Sequence, residues 1–274
     1  MRTETADSQA TATRSAVELT VAATTDQHGR LRGWDYYLGA PDARHSLARV
    51  AAIVDSLRVA EPGRVVLIDA GDLLQGNPLT YVAARMEPKS AHPVIAAMNA
   101  MGYDAAAIGN HEFNYGILAL KAAIAQAKFP FLAANVYRAD GTRAYPASKM
   151  FKRAGVTVAI VGATTPGSAV WDRDKVQGKL QFRDIVTEVR AAVKDVRARG
   201  ADVVIVTVHS GLNEPASYDT VATGLPSENV SARLAREIDG IDLINYGHSH
   251  RQMADTTIGT TMLMQAKNLS LIHI

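Results

Sequence analysis

The chain has 274 residues, 47% hydrophobic and 20% charged, with a formal net charge of +2; this is the composition of a globular chain able to bury a sizeable core, and it excludes disorder and fibre. No run of Lys or Arg stands out, which argues against a surface for polymeric nucleic acid or anionic membrane, so that any nucleotide bound is expected to be small. The absence of cysteine excludes disulfides and thiolate metal sites, so any metal must be held by nitrogen and oxygen.

Residues 1–18 are expected to form a disordered N-terminal segment. The first sixteen of them lack the apolar region of a secretory signal, and no later stretch approaches the length of a membrane-spanning helix. Six β-rich runs then alternate with helical patterns: residues 19–25 (LTVAATT), 64–69 (RVVLID), 104–109 (DAAAIG), 157–164 (TVAIVGAT), 202–208 (DVVIVTV) and 242–247 (DLINYG). Between the first two, Leu47, Val50, Ala51, Val54 and Leu57 recur at i, i+3, i+4 spacing, the apolar stripe of a helix packed on a sheet. Propensity predicts a helix over residues 116–127 and a shorter one over 230–238. Ile185, Val189, Ala192, Val193 and Val196 form the inward face of another. The order reads as α/β, and without a Pro/Gly/Ser-rich linker a single domain is expected over residues 19–268.

The polar residues fall where such a fold places its ligands, just beyond the carboxyl ends of strands. The first run is followed by Asp26, Gln27, His28 and Gly29; the second by Gly71 and Asp72; the third by Asn110, His111, Glu112, Phe113 and Asn114; the fifth by His209 and Ser210; the sixth by His248, Ser249 and His250. Five of the eight histidines lie in these clusters. Singly, each is ordinary: Asp-x-His caps helices, Gly-Asp makes turns, and a buried His commonly satisfies a carbonyl. Their joint occurrence at successive strand ends points to a metal site, and a mixture of carboxylate, carboxamide and imidazole suits Zn, Mn, Co or Fe better than the all-oxygen sites of Ca or Mg. His45 and His92 read as surface or packing residues, and His273 lacks comparable support.

Taken in order, D-x-H, GD, GNHE, H and GH-x-H resemble the calcineurin-like metallophosphoesterases, and TTDQHG, GDLLQG and GNHEF resemble their 5′-nucleotidase branch. GNHEFNYG, the segment Trp34 to Tyr37 and VHSGL at Val208 to Leu212 are similar to the bacterial 2′,3′-cyclic-nucleotide 2′-phosphodiesterase/3′-nucleotidases. The resemblance implies a four-layer αββα metallophosphoesterase sandwich with two divalent metal ions: one held by Asp26, His28 and His250, the other by Asn110, His209 and His248, with Asp72 bridging them. It implies that His111 faces the phosphate without ligating metal. Asn114 stands where 5′-nucleotidases usually carry an Asp; it can accept a hydrogen bond from His111 but adds no negative charge.

The activity implied is hydrolysis of 2′,3′-cyclic nucleotides and 3′-nucleotides. The alternatives are a 5′-nucleotidase or related metallophosphatase, and a metal-binding fragment without turnover. The resemblance also implies a periplasmic or cell-surface location and a C-terminal nucleotide-binding domain, absent here. Residues 269–274 (LSLIHI) do not resemble the family's continuation and are expected to be a non-native tail.

Overall fold

The computed structural model describes residues 16–274 apart from Ala43 and Ser270; of the segment expected to be disordered, residues 1–15 lie outside the described residues. All six predicted strands form, within two sheets. The first sheet holds β1 (Thr20–Thr24), β2 (Val65–Asp69), β3 (Ala105–Ala107) and β4 (Phe131–Leu132), parallel and in that order. The second is mixed. Its strands are β5 (Ser148–Arg153), β6 (Val156–Thr164), β7 (Val203–His209), β8 (Leu243–Tyr246), β9 (Gln252–Ile258) and β10 (Thr261–Ala266), ordered β9-β10-β8-β7-β6-β5. Strands β6, β7, β8 and β10 run parallel, while β5 and β9 pair antiparallel at the two edges.

Alternation along the strands builds three cores. In β2, Val66 and Ile68 join Ala23, Ala105 and Leu132 to meet Val158, Ile160, Ile205 and Met264 of the other sheet, forming a core between the sheets. Val65 and Leu67 point the opposite way, onto α1 (Leu47–Ala60), α2 (Pro93–Met101) and α3 (Ile117–Gln126). On the second sheet Val204, Val206 and Val208 face α5 (Ile185–Ala198) and α6 (Ser231–Glu237), with a short α4 (Ser168–Trp171) following β6. Two sheets face each other with helices outside both, which is the four-layer αββα sandwich expected.

Ser46 starts α1 by accepting from the Arg49 N–H, and Asp184 starts α5 by accepting from Thr187. Helix α2 was not predicted; it begins on Pro93 and stops at Gly102, whose φ is 66°. At the chain's end His273 exchanges two backbone hydrogen bonds of 2.9 Å with Ala23 of β1, and Ile272 packs on the helical side of the first sheet. Among the described residues no helix is long and apolar enough to cross a membrane.

Candidate metal centre

Every candidate residue lies at or just past the carboxyl end of a parallel strand: Asp26 and His28 after β1, Asp72 after β2, Asn110 and His111 after β3, His209 on the last position of β7, His248 and His250 after β8. The chain turns sharply there. Asp26, His28, Asp72, His248 and His250 have φ values of 49°, 48°, 62°, 71° and 54°. Left-handed backbone at a residue other than glycine costs on the order of 1–3 kcal/mol and persists only where the surroundings impose it. Five of the eight such residues among those described are therefore candidate ligands.

The donor atoms converge. Those of Asp26, His28 and His250 lie within 4.8 Å of one another, as do those of Asp26, Asp72 and His209, and those of His28, Asp72 and His111. The His28 and His250 Nε2 atoms approach to 3.1 Å, and His250 Nε2 lies 3.3 Å from Asp26 Oδ1. His209 Nε2 stands 3.0 Å from Asp72 Oδ2 yet lacks the alignment of a hydrogen bond. His248 shares none of these groups. Its ring lies 5.1 Å from that of His209, its backbone N–H donates to the Asp26 carboxylate, and its Nε2 is 3.5 Å from Glu228 Oε2.

Orientation of the rings is set from behind. His28 Nδ1 donates to the Gln75 carbonyl and His209 Nδ1 to the Ala70 carbonyl, each at 2.8 Å, so that Nε2 of both rings faces the centre with its lone pair. Charge follows the same geometry. Burial opposes ionisation of Asp72, but the rings of His209, His111 and His28 hold its carboxyl well below the ordinary range. His209 shows the reciprocal effect: burial would lower it, and Asp72 and Asp26 raise it. Burial lowers His28, while the bond to Asp26 raises His250.

Do these residues fit a divalent cation? His209 Nε2 and Asn110 Oδ1 are buried without a protein hydrogen-bond partner. Unpartnered atoms of ligating type, aimed into a cluster of carboxylate and imidazole, are what such a cation satisfies, displacing the proton of His209 as it binds. The donor set fits.

Further contributors were not singled out from the sequence. Glu112, almost fully buried, accepts the backbone N–H groups of Asp72, Leu73, Leu74 and Gly109 at 2.6–3.0 Å, tying the second and third strand ends together. Gly109 is what permits this approach, since a Cβ there would overlap the Asp72 carboxylate. Asp172, 4% exposed, accepts from Asn114 Nδ2, and burial pushes its carboxyl up against that bond. Trp171, next to it on α4, forms a wall, its ring 5.5 Å from His248 and 6.1 Å from Tyr218. Glu112 sat inside a recognisable motif, but Asp172 is 58 residues from its partner and had no local signal.

The family model of the calcineurin-like phosphoesterases matches residues 19–252. The chain is 37% identical over 251 residues to a 2′,3′-cyclic-nucleotide 2′-phosphodiesterase/3′-nucleotidase of Haemophilus influenzae, covering 87% of this chain and 37% of the relative. It is 32% identical over 237 residues to a 5′-nucleotidase of Vibrio vulnificus, covering 85% and 40%. The chain thus spans well under half the length of these curated relatives. Among solved structures, the calcineurin-like phosphoesterase YfkN of Bacillus subtilis superposes with a TM-score of 0.82 at 31% identity, covering 92% of this chain and 81% of that one.

Proposed function

The chain belongs to the calcineurin-like phosphoesterase family, and on that premise we propose that it hydrolyses nucleotide phosphoesters, with 2′,3′-cyclic nucleotides and 3′-nucleotides as its preferred substrates. Two divalent cations, drawn from Zn, Mn, Co or Fe, would be held by Asp26, His28, Asp72 and His250 on one side and by Asp72, Asn110, His209 and His248 on the other. The observation that carries this reading is the convergence of imidazole and carboxylate donors at the strand ends, four of them on left-handed backbone. When bound, the cations supply Lewis acidity for in-line attack of water on phosphorus and neutralise charge on its oxygens. The Ala70 and Gln75 carbonyls hold His209 and His28 in the ligating tautomer, and Glu112 holds the loop that carries Asp72. His111 Nε2, 3.9 Å from Asp72 Oδ2 and part exposed, would, once protonated, donate to the phosphate oxygens or to the departing sugar oxygen, a role worth about 10²–10⁴ in rate.

Substrate choice draws on the relatives: the one named for cyclic nucleotides is 37% identical and the one named a 5′-nucleotidase 32%. The test is turnover of 2′,3′-cyclic AMP, 3′-AMP and 5′-AMP by the purified chain with Mn or Co. The first two should be hydrolysed faster than the third, and His209→Ala should roughly halve metal uptake and remove turnover with it. Preference for 5′-AMP would favour the 5′-nucleotidase reading. Metal uptake with no turnover of any substrate would sink the enzymatic one.

A further inference from the structure

His111, Asn114 and Asp172 form a chain of hydrogen bonds whose directions are all dictated by one end. An ionised carboxylate only accepts. Both oxygens of Asp172 lie 3.0 Å from Asn114 Nδ2, and among the described residues its side chain bonds to no other group. Although it stands at the N-cap of the short helix Arg173–Val176, its side chain gives that helix no capping bond. With its amide nitrogen committed to Asp172, Asn114 must turn its carbonyl oxygen toward His111, which it meets 2.6 Å from Nδ1. A carbonyl also only accepts, so the ring proton sits on Nδ1. That leaves Nε2, the atom facing Asp72 and the ring of His28, with its lone pair directed at the centre.

We propose that Asp172 is a positioning residue: by fixing the Asn114 amide it selects the Nδ1–H tautomer of His111 and keeps Nε2 as the atom that meets substrate. The two sheets meet in this relay, for Asp172 follows β6 and α4 whereas His111 follows β3. The catalytic consequence rests on the role given to His111 above; the tautomer does not.

Asp172→Asn tests it without a change of shape. An amide at position 172 can either donate or accept, so Asn114 is free to flip and present its own N–H groups to His111. Long-range proton–nitrogen NMR of the histidine-labelled, metal-free chain should show His111 as Nδ1–H in wild type and as a mixture with Nε2–H in Asp172→Asn. The exchange double variant Asn114→Asp/Asp172→Asn should restore Nδ1–H, because the acceptor-only carboxylate then sits directly on His111. With metal loaded, kcat for 2′,3′-cyclic AMP should fall about 10–100-fold in Asp172→Asn, with KM and metal content unchanged, and recover in the double variant. A pure Nδ1–H pattern in Asp172→Asn overturns the relay, and a tautomer shift with unchanged kcat overturns its catalytic role. If wild type itself turns nothing over while the tautomer shifts as expected, the relay stands and the enzymatic reading falls.

Discussion

Among the described residues no cationic side chain pairs with Glu112. Four backbone N–H groups from two strand ends converge on its two oxygens, and Asp72 stands on one of the loops so held. Removing the carboxylate strands four buried donors, each worth a kilocalorie or more when left unmade. Glu112→Ala should therefore cost about 3 kcal/mol or more of stability in chemical denaturation and weaken Mn binding in calorimetry. A variant with the wild-type denaturation midpoint and affinity would show that the loop holds its shape unaided. At this scale the sequence displays the residues that sit next to a hydrophobic run, because strand ends are where open α/β folds collect polar groups. Asp26, His28, Asp72, Asn110, His111, His209, His248 and His250 could be picked out as candidates for that reason. Asp172 and Glu228 were not: each reaches the site from a connecting segment whose path depends on tertiary packing.

Strands buried on both faces read as unbroken apolar runs, and this is why β2, β6 and β7 were recognisable. Both edges of the second sheet were missed for the converse reason: Ser148–Arg153 and Gln252–Ile258 are half-polar, and each only folds back antiparallel on the strand that follows it. Helix α2 is short and apolar, a pattern that periodicity alone does not separate from a buried strand, although Pro93 and Gly102 mark its ends. The interface between the sheets makes its own demand on β6. A Cβ at Gly162 would run into Leu132 of β4, both side chain and backbone. Gly162→Val should overpack this contact and lower stability by about 1–3 kcal/mol, seen as a lower thermal midpoint. An unchanged midpoint would mean that the sheets separate at little cost.

For the molecule as a whole, acid should be felt through His92. Its ring is 7% exposed, both ring nitrogens lack a protein partner, and burial pushes its pKa down to about 4 from an ordinary 6.5. The folded chain thus favours the neutral ring. Its contribution is complete above the unfolded value of 6.5 and is lost as pH falls toward 4, by about 3 kcal/mol. Asp69 acts in the opposite sense, since burial raises its carboxyl to about 7, so stability rises as pH falls through that value. The two are separated by comparison: His92→Leu should lose less stability than wild type between pH 7 and pH 4 in denaturant titrations, and parallel curves would refute the assignment. Fold class was readable from alternation of strand and helix. The two-sheet arrangement came from family resemblance, because no local pattern says which strands share a sheet.

The division of strands between sheets also divides the candidate ligands. Asp26, His28, Asp72 and Asn110 come from the first sheet, built from residues before 133, and His209, His248 and His250 from the second, built from residues after 147. Cations held by both groups would act as a staple between the two halves of the chain, closing a loop of more than a hundred residues much as a distant disulfide does, in a chain that has no cysteine to make one.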